Sequence, residues 1–201
     1  MSYNLEKIEV KKVVASEAPE ELRKVKAFVS KIYQDAGYSN SPWKNQNYDP
    51  WSTWFYTEDQ NGLTAAMRIV EKLPWNFIPL EVALLHDKSK PKKRYAVIEE
   101  NVADWNAVAF RNSKEGLRDG KRISTEVAKH CIEKGYNVVY GLYPLALTGI
   151  WNIYRNAGAV ISKKYLGPVF FPDFYLKGEI CLLNVIELQK PTLQKFASKY
   201  L

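Results

Sequence analysis

Residues 104 to 142 constrain the fold more than any other stretch. Asp104 to Phe110 alternates apolar and polar positions as a core strand does. Ile123, Val127 and Cys131 then recur at helical spacing up to a stop at Gly135, and Asn137 to Leu142 reads as a buried strand. Strand, helix and strand in that order make a buried βαβ passage. Its first connection, RNSKEGLRDGKR at 111 to 122, reads as a loop that opens the helix at about Lys121. Arg111, Lys114, Arg118, Lys121 and Arg122 stand there around Gly116 and Gly120. Cations beside a helix N-terminus are mildly unfavourable, because the macrodipole is already positive there. A bound phosphate or pyrophosphate offsets that cost.

Other elements flank this passage. Ile8 to Val14 reads as a first strand. Pro19 to Ala36 reads as an amphipathic helix, with Leu22, Val25, Phe28, Val29, Ile32 and Tyr33 inward and Gly37 as its stop. Residues 38 to 50 are turn-formers with interspersed aromatics, long for a connector and suggestive of a substrate lid. Trp51 to Thr57 and Leu63 to Val70 form a hairpin signalled by Asn61-Gly62. Phe77 to Leu85 is extended near its start, DKSKPKK is an exposed turn, and Arg94 to Glu100 is a short strand. Thr148 to Asn156 is a short helix, Ile161 to Phe171 and Glu179 to Leu188 a closing β pair, and Pro191 to Tyr200 an amphipathic tail. The order predicts a mixed α/β (α+β) fold with a mainly antiparallel central sheet flanked by helices. With no linker-like composition, residues 1–201 read as a single domain.

A formal charge of +7 favours acidic partners, including nucleic acid, anionic lipid, a phosphorylated cofactor or an acidic protein. Two cysteines, Cys131 and Cys181, suggest a reducing compartment, and His86 and His130 give no zinc-ligand spacing. Because successive helix positions diverge, His130 and Cys131 do not form a dyad. The charged start MSYNLEKIEVKK has no secretory h-region, and no apolar run reaches the roughly 20 residues of a membrane span. These features predict a cytoplasmic protein.

The element order, together with a basic glycine-containing connection between a central strand and its helix, resembles the GNAT superfamily of acyl-CoA-dependent acyltransferases. The match is best from Asp104 to Gly158. The connection keeps Gly116 and Gly120 but departs from the family's R-x-x-G-x-G/A spacing. That departure implies a donor held more by side-chain charge than by a backbone nest. IWNIYRNAGA, residues 150 to 159, is similar to the family's helix that ends in a tyrosine, a basic residue and a glycine. The asparagine that often precedes this helix would fall near Leu147 and is missing. NFIPLE near residues 76 to 81, the aromatic loop and EICLLNVIEL look like the branch of N-acyl amino acid synthases and acyl-homoserine-lactone synthases.

The resemblance implies a splayed strand pair, Asp104 to Phe110 and Asn137 to Leu142, with the thioester of acyl-CoA, acetyl-CoA or acyl-phosphopantetheine between them. It implies direct attack by a small-molecule amine, and an acidic acyl carrier protein as a further donor. Donor-binding residues are then Val108, Phe110, Arg111, Gly116, Arg118, Gly120, Lys121 and Arg122, with Val108 N–H as oxyanion donor. Tyr154 takes the place of the acid that protonates the leaving thiolate; its alternative is a packed aromatic beside Ile150 and Trp151. The base is sought among Asp104, Glu100 and Glu81, with Asp104 first and burial among Trp105, Trp75 and Phe77 raising its pKa. The alternative for each is a solvated surface acid. Trp43, Trp51, Trp54, Phe55 and Trp105 wall the acyl or acceptor pocket, or else pack a hairpin face. Two rival readings stand beside this one. A nucleic-acid binder would use KPKKR and the aromatics for stacking, but lysines and aromatics do not interleave in one motif. A non-catalytic sensor of acyl ligands would share the fold and lack the reaction.

Overall fold

A computed structural model describes residues 8–40, 46–156 and 158–198. The chain runs β1 (Lys11–Val13), α1 (Pro19–Asp35), β2 (Tyr38–Ser39), a 3-10 turn (Asp49–Trp51), β3 (Ser52–Asp59), β4 (Gly62–Glu71) and α2 (Pro79–Val82). It continues through β5 (Leu84–Leu85), β6 (Val102–Phe110), α3 (Lys114–Glu133), β7 (Val138–Pro144) and α4 (Thr148–Asn156). It closes with β8 (Val160–Ile161), β9 (Val169–Phe170), β10 (Tyr175–Leu176), β11 (Glu179–Ile180), β12 (Leu183–Gln189) and α5 (Lys190–Ser198).

The main sheet has the order β1-β3-β4-β6-β7-β12-β9-β5, with β8 also paired to β12. Every pairing in it is antiparallel except β6 with β7. This is the mixed fold with a mainly antiparallel sheet that the element order predicts. Neighbouring residues of one strand enter different cores, as the period of two requires. Phe55, Ile69 and Trp105 pack under α3 and α5 with Ile123, Val127, Ile186 and Leu193. Trp54, Tyr56 and Ala66 pack under α1 with Leu22, Val25 and Val29. Val70, Val102 and Tyr140 meet Ile78, Leu80 and Val97 from the excursion between β4 and β6. The sheet is therefore covered on both faces.

α1 forms where its stripe predicts: Pro19 enters at the first turn, Glu20 and Glu21 suit the dipole, and Gly37 leaves at φ +92°. The β3–β4 hairpin closes tightly, Asp59 opposite Gly62, with Gln60 and Asn61 as the turn. Three expectations change. Arg94 to Glu100 joins no ladder beyond one bridge, Leu84 to Arg94; Val97 N–H instead donates to the Glu81 carboxylate at 3.0 Å. Pro79 starts one helical turn inside the stretch expected to be extended. The closing β pair breaks into short pieces, and β12 alone is long, lying between β7 and the pair β8 and β9.

The largest change is at α3, which starts at Lys114 rather than near Lys121. Ser113 is its N-cap, with Oγ accepting from Gly116 N–H at 3.0 Å. The basic stretch is thus mostly helix, and both glycines lie inside it. Glycine disfavours helix interiors, which is why the stretch reads as a loop. Here the tertiary contact decides. A Cβ on Gly116 would lie 2.3 Å from the Arg111 carbonyl oxygen, so only glycine lets the helix seat against the end of β6.

Candidate active site at the splayed strands

β6 and β7 pair from Val102 and Val138 to Trp105 and Gly141, and there the parallel ladder ends. Beyond that point β6 stays with β4 as far as Phe110, while β7 stays with β12 as far as Pro144. The two strands diverge like a V. A β-bulge sits at the fork: Asn106 pairs with Arg68 and Ala109 with Ala66, so Ala107 and Val108 together oppose Met67. Ala107 adopts φ +52°, a left-handed conformation that costs a non-glycine residue about 1–3 kcal/mol. Such strain persists only where the surroundings enforce it, and it bends β6 away from β7.

A cavity of about 330 Å³ fills the fork. Tyr33 of α1, its C-cap Ala36, Tyr38 and Phe174 line it on one side of the sheet, and Met67, Lys121, Ser124 and Phe196 on the other. Residues 106 to 110, Leu142 and Pro144 form the opening between, so the cavity passes through the sheet. Its wall is mainly apolar. Tyr154 enters it from α4, which is held to β7 by the stacked rings of Trp151 and Tyr143, 5.1 Å apart. Burial, with smaller contributions from Tyr33 and Asp104, raises the Tyr154 phenol well above the ordinary tyrosine value. Burial likewise lifts Tyr33 to about 12 and raises Tyr38. All three phenols remain protonated donors at neutral pH.

A buried polar chain runs beside the fork. Arg68, Asp104 and Asn106 fall on the α1 side of their strands by alternation. Arg68 Nε donates to Asn106 Oδ1 at 2.6 Å, and Asn106 Nδ2 donates to Asp104 Oδ1 at 2.8 Å. Leu80 N–H donates to Asp104 Oδ2 at 3.3 Å. The Arg68 guanidinium also stacks between Tyr48 and Trp54, 5.2 and 5.0 Å from their ring centres. Asp104 is fully buried, and that burial raises its carboxyl to about 6 although Asn106, Arg68 and Leu80 pull it down. Asn106 is the member of the chain that lines the cavity.

The other candidate carboxylates lie elsewhere. Glu81 is buried behind the site, accepting from Lys72 Nζ at 2.9 Å, Ile78 N–H at 3.0 Å and Val97 N–H at 3.0 Å. Glu100 is exposed. Trp75 and Phe77 shelter neither, being 74% and 64% exposed. Among the aromatics expected around a pocket, Trp105 lines the cavity. Trp54 packs under α1, Phe55 packs edge-on to His130 beneath α3, and Trp51 packs against the core that Val70, Val102 and Tyr140 form with Ile78 and Leu80. Trp43 lies outside the described residues. Besides Phe110 and Tyr154, the aromatics that line the cavity unforeseen, Tyr33, Tyr38, Phe171, Phe174 and Phe196, come from the end of α1, β2, the excursion after β9 and α5. The only sequence signal for them is the apolar stripe of α1, which contains Tyr33.

Several cations of the basic stretch have partners within the chain. Arg111 Nη1 pairs with Asp59 at 3.0 Å and Nη2 donates to Asn61 O at 2.9 Å, clamping the hairpin turn. Arg122 and Arg118 lie 3.2 and 3.6 Å from Asp119, which is fully buried. Lys121 lines the cavity with Val108, Phe110 and Gly120. The first-turn N–H groups of α3 lack intrahelical acceptors, as at any helix start. Gly116→Ala is expected to destabilise the fold by about 1–3 kcal/mol, since both close contacts are backbone atoms of Arg111. Gly120→Ala, whose nearest contact is a Phe110 ring carbon at 3.4 Å, should stay within about 1 kcal/mol of wild type. Thermal unfolding of the two variants checks the contrast.

No protein-family model and no curated protein sequence matches the chain. Solved structures do. FeeM, an N-acyl amino acid synthase from uncultured soil microbes, superposes with TM-score 0.63 at 11% identity, covering 96% of each chain. SpeG, the spermidine/spermine N-acetyltransferase from Vibrio cholerae, gives 0.57 at 9% identity, over 94% of this chain and 96% of its own. BjaI, a CoA-dependent acyl-homoserine lactone synthase solved with SAM and isopentyl-CoA, gives 0.56 at 12% identity, over 94% and 87%. The fold is that of the GNAT acyltransferases.

Proposed function

We propose that this chain, which has the GNAT fold, is an N-acyltransferase that moves an acyl group from a phosphopantetheine thioester to the amine of a small acceptor. The observation that carries the reading is the fork between β6 and β7, strained at Ala107 and opening into an apolar cavity that Tyr154 enters. A thioester laid in the fork meets unladdered strand edge on β6, and the Val108 N–H is the assigned oxyanion donor. The capped start of α3, with Lys114, Lys121, Arg118 and Arg122 near it, suits the phosphates of CoA or of a carrier protein's prosthetic group.

Direct attack fits the residues available. Burial raises the thiols of Cys131 and Cys181 to about 12 and about 11, and neither lines the cavity. Ser124 does line it, but its hydroxyl donates to the Gly120 carbonyl at 2.8 Å. The amine nitrogen therefore bonds to the thioester carbon and the C–S bond breaks. Asp104, which stands behind Asn106 rather than in the cavity wall, is assigned to accept the proton lost by the amine, and Tyr154 to protonate the leaving thiolate. Burial, with smaller contributions from Tyr33 and Asp104, keeps the Tyr154 phenol protonated and able to donate. Glu81 is assigned to holding Lys72 and α2 in place.

Single-turnover thiol release tests the reading, using acyl-CoA and acyl-carrier-protein donors with a panel of amines. Amine-dependent release with an amide product is expected, and the better donor identifies the carrier. Thioester binding without release for every amine would favour the acyl-ligand sensor instead. Oligonucleotide binding that strengthens with length and weakens with salt would favour the nucleic-acid reading.

A further inference from the structure

The four most exposed large apolar side chains of the described residues are Ile98, Trp75, Phe77 and Leu166, at 82%, 74%, 64% and 61%. They come from three segments that carboxylates and phenols knit together. Glu81 accepts from Ile78 N–H and Val97 N–H, which ties the segment that carries Phe77 to the one that carries Ile98. Glu99 accepts from Tyr165 Oη at 2.6 Å, and Tyr95 Oη donates to the Leu166 carbonyl at 2.7 Å, which ties Leu166 to the segment that carries Ile98. His86 N–H donates to the Pro168 carbonyl at 3.0 Å, so the exposed hairpin KSKPKKR, with five cations, adjoins Leu166. Exposed apolar groups gathered in one place mark an interaction surface.

We propose that this face docks on an anionic lipid surface. The cations supply attraction to acidic headgroups, and Trp and Phe suit the boundary between headgroups and acyl chains. The turn that carries Trp75 and Phe77 suits a lipid surface, because Asn76 and Lys72 pair part of its backbone from within. Asn76 Oδ1 accepts from Leu73 N–H, Asn76 Nδ2 donates to the Glu71 carbonyl, both at 2.7 Å, and Lys72 Nζ caps the Asn76 carbonyl at 2.6 Å. Pro74 has no N–H to satisfy. Each group paired in this way lowers the cost of bringing the turn to an apolar layer. Attachment is peripheral: no helix among the described residues is long and apolar enough to cross a membrane.

The test is flotation of the full chain with phosphatidylcholine vesicles containing phosphatidylglycerol, against pure phosphatidylcholine vesicles. Binding to the acidic vesicles, weakening as salt is raised, is expected. Trp75→Ser with Phe77→Ser should weaken it at least about tenfold while leaving thermal stability and any thiol release unchanged, since both side chains are exposed and outside the cavity. Replacing the hairpin lysines by Ala should abolish the preference for acidic lipid. Three results overturn the proposal: no flotation at low salt, flotation unaffected by the Trp75 and Phe77 changes, or a patch that instead supports self-association in sedimentation or carrier-protein binding without lipid binding. None of these bears on acyl transfer, so the two readings fail separately.

Discussion

Tyr154→Phe is expected to slow single-turnover thiol release about 10²- to 10⁴-fold, the scale for losing a positioned proton donor. The ring remains, so its packing between the cavity and the core under α3 and α5 is kept. Thioester affinity and thermal stability should barely change, which puts the loss in kcat rather than KM. Desolvation keeps the phenol protonated far above neutral pH, so the wild-type rate should show no loss from phenol ionisation up to at least pH 10. The desolvation that raises the phenol also raises the proton affinity of a thiolate leaving into the same apolar cavity, which keeps donor and acceptor matched. Comparison of wild type and variant in rapid-quench thiol release decides the matter. Equal rates would remove Tyr154 from the chemistry and leave it as cavity wall.

Asp104→Asn should lower kcat/KM about 10²- to 10⁴-fold at neutral pH and remove the acidic limb of the pH profile. In wild type that limb should fall as pH drops through about 6, where burial has placed the carboxyl. The stability profile supplies a separate check. A carboxyl raised to about 6 from the ordinary value of 3.8 binds more protons in the native state than in the unfolded chain between those values. Stability therefore falls as pH rises through that window, opposite to the behaviour of a salt-bridged surface acid. The Asn variant should lose this slope, while Arg68, deprived of its buried counter-charge, lowers overall stability. If kcat/KM keeps its acidic limb in Asp104→Asn, another group is the base; if only the stability slope disappears, the carboxylate is structural.

The outline of the fold was legible in local pattern. The stripe of α1, the alternation of β6 and the start of α4 each depend on residues close in sequence, and each formed as read; the hairpin signalled by Asn61-Gly62 also formed, with its turn one residue earlier at Gln60 and Asn61. Misreadings cluster where the deciding contact is distant. The first two turns of α3 looked like a loop because two glycines lower helix propensity, yet Ser113 caps the helix and Gly116 lets it rest on Arg111. Residues 94 to 100 alternate well enough for a strand but find Glu81, not a neighbouring strand, as a hydrogen-bonding partner. Likewise Glu81 looked like a free acid until Lys72 and two backbone N–H groups were brought to it.

What the sequence determines by itself is the set of elements and their order, because periodicity and turn chemistry act over a few residues. It also determines that Asp104 and Asn106 share one strand face and that cations crowd the connection after β6. Tertiary structure decides the rest. Where the β6–β7 ladder stops depends on a bulge whose cause is the pairing with β4, and no local pattern announces it. The cavity wall comes from α1, the segment after β9 and α5, which meet only when the sheet is covered on both faces. The charge state of Asp104 follows from its burial beside Arg68, a residue 36 positions earlier in the chain. Desolvation and hydrogen-bond partners are properties of the packed molecule, and they determine which of the acids in this sequence can act as a base near neutral pH.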